Sequence, residues 1–162
     1  MSSINKSSKL RDILFSPANI SLSIFILDQL SKTLILRYLK EPICIIPGFF
    51  NILLVWNKGA AWGILSKYPL FLTAIAFIAL IILIVFFNKI SEGKESSKIA
   101  LALLIGGISG NLFDRISKGA VVDFLDFYIG KYHWPAFNIA DSAITISVMI
   151  LLFFSFKENT KT

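Results

Sequence analysis

Long apolar runs, interrupted by single charges and short polar segments, set the organisation of the chain. Residues 70–87, LFLTAIAFIALIILIVFF, form the clearest run, with no charge, glycine or proline. As a helix rising about 1.5 Å per residue, this run nearly crosses a hydrocarbon layer about 30 Å thick. Three other runs are similar in length but more polar. Residues 20–39 carry Asp28, Lys32 and Arg37; residues 99–115 end at Asn111 and Asp114-Arg115; residues 138–156 hold one charge, Asp141. The pattern predicts an all-α membrane protein with four transmembrane helices over about 20–39, 70–87, 99–115 and 138–156, both termini on one side. Ser16-Pro17 is a helix start, with Ser as cap and Pro in the first turn, and the first helix stops before Glu41-Pro42.

The segments between the runs differ in kind. In residues 42–67, β-branched and aromatic positions are bounded by Pro47-Gly48 and broken at Lys58-Gly59. That predicts short strands and turns: a small β-rich extramembrane element after the first helix. Trp56, Trp62 and Tyr68 suit a membrane surface, where an aromatic ring sits at headgroup level. Residues 88–98, NKISEGKESSK, read as a solvated turn between antiparallel helices. The third run contains Gly106, Gly107 and Gly110, spaced to let helix backbones approach closely, for packing or for function.

Composition agrees with one membrane domain spanning residues 1–162. The 162 residues are 56% hydrophobic and 16% charged, with mean hydropathy +0.75, far more apolar than an ordinary soluble domain. The net charge of +6 is scattered among the apolar runs rather than gathered in a patch, which argues against nucleic acid as a partner. Lys6, Lys9, Arg11, Lys89, Lys94, Lys98, Lys157 and Lys161 flank the runs on one side and favour cytoplasmic termini. The apolar run behind the basic N-terminal arm contains Asp28 and lacks a small-residue cleavage site, so it reads as a retained helix. A single cysteine, Cys44, and a single histidine, His133, leave no intrachain disulfide and no protein-built zinc site.

The acids carry the chemistry. An ionisable group inside a span costs at least a few kcal/mol unless paired, so each one is a functional hypothesis. Asp28 and Lys32 stand at i and i+4, in the favourable order for an ion pair that either ties the first helix into the bundle or serves a site or ion path. Asp114 has an adjacent partner in Arg115, whereas Asp123 and Asp126 lie on a hydrophobic connector with no obvious basic neighbour. Asp141 can close a cap turn, Asn138-Ile-Ala-Asp141, at the start of the last helix. Two carboxylates brought together there would share a proton, one taking a proton from water while the other donates to a scissile carbonyl. Asp141 with Asp123 on the preceding connector meets that requirement. No HExxH, GxSxG or Walker-type loop offers another chemistry.

Five motifs in order then identify a family: LDQLSK at 27–32, NKGAAWG at 57–63, GGISGNLFDR at 106–115, VVDF at 121–124 and PAFNIADS at 135–142. The chain resembles bacterial lipoprotein signal peptidases (signal peptidase II), integral-membrane aspartic peptidases acting on lipid-modified prolipoproteins. The resemblance implies a catalytic pair, Asp123 and Asp141, with no cofactor or metal. Asn57 and Gly59 would belong to a loop closing over substrate, and Asn111, Arg115 and Asn138 would line the site and position the peptide or the acids. Asp28 and Lys32 match the first motif, which favours their functional reading. Asp126 becomes a bystander. Trp62 stands where the family more often has Phe, implying a tighter fit beneath the loop. The implied location is the bacterial inner membrane, with cytoplasmic termini, an active site near the outer face, a monomeric state, and lipids and prolipoproteins as partners. The alternative is a small four-helix cation or drug transporter, which needs little outside the membrane. The folded-looking segment 42–67 and the polar residues between 111 and 141 favour the enzyme.

Overall fold

The structure, a computed structural model, describes residues 16–60 and 63–159. The basic N-terminal arm and Trp62 lie outside the described residues. Helix α1 (Pro17–Tyr38) is followed by strands β1 (Ile43–Ile46) and β2 (Phe50–Asn57) and helix α2 (Pro69–Val85). A short helix α3 (Phe87–Ser91) precedes α4 (Glu95–Lys118), strands β3 (Val121–Ile129) and β4 (Tyr132–His133), and helix α5 (Ile139–Asn159). The expected start of α1 is realised: Ser16 Oγ accepts from the Asn19 amide at 3.3 Å, and Pro17 occupies the first turn.

Helix α4 is the hub, packed against α1, α2 and α5. Its glycines set the spacing. A Cβ on Gly106 would lie 2.7 Å from the Ser21 carbonyl oxygen, and one on Gly107 would lie 2.6 Å from that of Ala140, so α1 and α5 approach backbone to backbone. The Ser21 hydroxyl adds an interhelical bond to the Ala102 carbonyl at 2.8 Å.

The distribution of polarity is inverted relative to a soluble protein. Asp28, Lys32, Asp114 and Asn138 are fully buried, while Leu70 is 83% and Phe156 68% exposed. An apolar exterior around a charged interior suits lipid as solvent. Among the described residues, three helices have the length and apolarity of membrane crossings: Pro17–Tyr38, Glu95–Lys118 and Ile139–Lys157. Helix α2 is shorter than the expected 70–87, ending at Val85 after 17 residues, before α3 begins.

The sheet is larger than the sequence pattern implied. Residues 121–133, a connector by sequence pattern, supply β3 and β4, so both loops build one antiparallel sheet in the order β1-β2-β3-β4. The β-rich element is therefore not confined to the segment after the first helix. In β3 the first four residues are all buried, so VVDFLDFYI lacks the alternation that marks a half-exposed strand. Register pairs Asn51 with Asp126 and Val55 with Asp123, with a bulge between Ile52 and Val55.

Candidate active site

The acids reach one another through two turns of the chain. Gly119, in the left-handed region at φ +75°, ends α4 and sends the chain directly into β3, which carries Asp123. The chain then returns: the Phe137 carbonyl accepts from the amides of Phe124 (3.0 Å) and Leu125 (2.9 Å), and the Phe137 amide donates to the Leu125 carbonyl (3.1 Å). This bridge sets the first residues of α5 beside Asp123.

The expected cap turn at Asn138 forms in both directions. Asn138 Oδ1 accepts from the Asp141 amide at 2.9 Å, and Asp141 Oδ2 accepts from the Asn138 amide at 3.2 Å. Capping leaves Asp141 Oδ1 available, and it accepts from Asn111 Nδ2 at 2.7 Å. Asp123 is held by two amides, Asn138 Nδ2 at 2.7 Å on one oxygen and Asn57 Nδ2 at 2.9 Å on the other. Asn138 Nδ2 also reaches Asn111 Oδ1 at 3.1 Å, so a continuous amide bridge joins the acids.

Only 1% of Asp123 is exposed, and burial pushes its carboxyl up to about 7, with the Asp141 charge adding to the rise. The amides of Asn57 and Asn138 and the Lys32 charge oppose it without cancelling it. A group raised from 3.8 holds a proton in the folded state that it has lost in the unfolded chain. Its stabilising contribution is thus full below about pH 4 and lost as pH climbs toward 7. Thermal unfolding in detergent therefore reads out a difference: the apparent Tm of Asp123→Asn should gain several degrees relative to the parent between pH 4 and pH 8. A gap constant across that range contradicts the raised pKa.

Asn57, Gly59 and Arg115 also meet. Asn57 Oδ1 accepts from the Gly59 amide at 2.9 Å, and an Arg115 guanidinium nitrogen donates to the Gly59 carbonyl at 3.1 Å. Arg115 Nε is buried without an acceptor among the described residues, and the guanidinium feels the charges of Asp141, Asp123 and Asp114. A cavity of about 520 Å³ opens here. Asn57, Asn111, Arg115 and Asp141 form its polar wall, and Trp134 and Phe137 contribute to its apolar wall. Asp123 is not among the lining residues.

Beneath the acids lies an ion cluster that the sequence showed only in part. The Asp28–Lys32 pair forms at 2.7 Å, but Lys32 also contacts Asp114 at 2.9 Å and donates to Asn111 Oδ1 at 3.0 Å. Asp114 does not pair with Arg115. Neighbouring residues on a helix point about 100° apart, so Asp114 instead takes Lys118, one turn on, and accepts from the Val122 amide at 3.1 Å. The i, i+4 spacing of Asp114 and Lys118 was the signal available. Asp28 accepts from the Ala140 amide at 3.0 Å, so α1 caps α5. Asp126 stands apart from this group: its partners are Asn51 Nδ2 at 3.0 Å and His133 Nδ1 at 2.8 Å, within the sheet.

The family model described as Signal peptidase (SPase) II matches residues 20–157. The lipoprotein signal peptidase of Sulfurihydrogenibium sp. (strain YO3AOP1) is 47% identical over 141 residues, covering 82% of this chain and 86% of its own. That of Syntrophus aciditrophicus (strain SB) is 46% identical over 136 residues, covering 80% and 84%. Two solved bacterial membrane enzyme structures are also similar. One has a TM-score of 0.82 at 39% identity, covering 88% of each chain; the other scores 0.76 at 41% identity, covering 85% of this chain and 90% of its own. With its five motifs in order, and with sequence and fold likenesses that run through most of its length, the chain belongs to the signal peptidase II family of aspartic proteases.

Proposed function

We infer that this chain removes the signal peptide from lipid-modified prolipoproteins, cutting just before the lipidated cysteine, with Asp123 and Asp141 as the catalytic pair. The observation that carries the assignment is the amide bridge: two acids from different elements, joined through Asn111 and Asn138, with Asp141 facing the cavity. The pair holds one proton near neutral pH, because a second charge at this burial is costly. The ionised member takes a proton from a water molecule as the water oxygen attacks the scissile carbonyl, and the protonated member donates to the carbonyl oxygen. On collapse of the tetrahedral intermediate the carbonyl-oxygen proton returns to the acid that gave it, and the acid that took the water proton passes it to the leaving nitrogen, which departs as the new amine. Asn57 and Asn138 hold Asp123, Asn111 holds Asp141, and Arg115 fixes the Gly59 end of the loop. Asp28 and Lys32 support this arrangement from below.

The topology that fits has α2 as a fourth, slightly short crossing, bringing both termini to the cytoplasm and the sheet to the outer face of the bacterial inner membrane. The chain acts as a monomer, its apolar exterior in contact with lipid. Membership of a protease family disfavours the cation or drug transporter.

Incubating the purified protein with lipidated and unlipidated prolipoprotein tests the reading. A mass shift confined to the lipidated form is expected, and cation transport without cleavage would overturn it. Gly59→Ala probes the loop. A Cβ there would lie 2.7 Å from the Ile64 carbonyl, so backbone must move. The expected result is a fall in kcat/KM of roughly tenfold or more with insertion intact. Unaltered cleavage kinetics would remove Gly59 from the site.

A further inference from the structure

Lys32 is fully buried, and its three donors meet three acceptors: Asp28 Oδ2, Asp114 Oδ2 and Asn111 Oδ1. The third contact is not needed to neutralise the ammonium, since two carboxylates already flank it. Its effect falls on Asn111. An amide can occupy its site in two orientations, with oxygen and nitrogen exchanged. An ammonium has no acceptor, so only the carbonyl oxygen can face Lys32. Asn138 Nδ2, a second donor, meets the same oxygen at 3.1 Å. With the oxygen fixed, Asn111 Nδ2 must face Asp141, where it donates at 2.7 Å.

We propose that Lys32 is a positioning residue for the acid pair: through the carbonyl of Asn111 it locks the amide whose N–H is presented to Asp141. The proposal rests on the assignment of Asp123 and Asp141 as the catalytic pair. Without the ammonium, the Asn111 oxygen keeps one donor, Asn138 Nδ2, which it shares with Asp123 Oδ1 and the Val122 carbonyl, so the hold on the amide that faces Asp141 is weakened. Among the described residues, Lys32 is also one of two cationic side chains near the pair. The charged groups around it are Asp28 and Lys32 on α1 and Asp114 and Arg115 on α4, with Lys118 held by Asp114. The Lys32 charge acts to lower the carboxyl of Asp123, so its removal lets that carboxyl rise further.

The test uses Lys32→Met and Asp28→Asn/Lys32→Met in the full chain, assayed per folded molecule on lipidated prolipoprotein across pH. The double variant removes both charges of the α1 pair, leaves Asp114 with Lys118, and keeps an oxygen at position 28 for the Ala140 amide. It therefore stays measurable if the single variant does not fold. In both, kcat should fall on the order of a hundredfold, with KM within about twofold. The limb set by Asp123 should move up in Lys32→Met, and less in the double variant, which removes the negative charge of Asp28 together with the positive one. A folded double variant with the parent's kcat overturns the positioning role while the catalytic assignment stands. If Asp123→Asn and Asp141→Asn cleave normally, the assignment fails and the proposal fails with it.

Discussion

Asp123→Asn and Asp141→Asn should each give an inserted, folded protein that cleaves prolipoprotein at least about 10⁴-fold more slowly than the parent. Each replacement keeps the shape and one acceptor oxygen. An asparagine replacing Asp141 can still accept from the Asn138 amide and preserve the start of α5; one replacing Asp123 can still accept from either Asn138 or Asn57. What disappears is the capacity to take up or release a proton, and with it the shared proton on which water activation depends. Residues acting as a unit lose nearly everything when one is removed, so the double variant should be little worse than either single. Asp126→Asn is the control: bound to Asn51 and His133 in the sheet, it should cleave close to the parent rate. Mass spectrometry of a lipidated substrate reads all three. Full processing by either Asp123→Asn or Asp141→Asn sinks the assignment, and loss with Asp126→Asn alone would point to the wrong acid in VVDFLD.

Asp114→Ala should be the most destabilising single change in the ion cluster, at about 3–5 kcal/mol. It removes one of two carboxylates from buried Lys32, the i, i+4 partner of Lys118 and the acceptor of the Val122 amide. The change leaves Lys32 with Asp28 alone of its two carboxylates, strips Lys118 of its acid partner and orphans the buried Val122 amide, so three losses fall on one site. The last contact matters for architecture as well, because the Val122 amide ties α4 to the strand carrying Asp123. The measurement is the yield of inserted protein and its thermal stability in detergent. A variant as stable as the parent would show that Lys32 and Lys118 find other partners.

Much of this arrangement could be read from the order of residues. The apolar runs locate the long helices because a segment in lipid must satisfy its own backbone, and Ser16-Pro17 marks where the first begins. β2 was recognisable between Pro47-Gly48 and Lys58-Gly59. The meeting of Asp123 and Asp141 was anticipated from acids left without partners beside a helix start. β3 was not legible as a strand, because burial on both faces erases alternation and leaves a short apolar run. Asp114 was misassigned because adjacency in sequence suggested Arg115, whereas helix geometry turns neighbours apart and gives Asp114 to α1 and to its own next turn. The Asn111–Asn138 bridge depends on two tertiary approaches at once, and no local spacing announces it.

The Asp28–Lys32 pair has a consequence for biogenesis. Helix α1 is synthesised before α4, and two of the acceptors that finally surround Lys32, Asn111 and Asp114, belong to α4, about 80 residues later. A lone lysine in that helix would have to enter the bilayer as an uncompensated charge. Because Asp28 lies one turn before it on the same face, the helix carries its own counter-ion into the membrane, and the later arrival of α4 exchanges solvation by one partner for a complete shell.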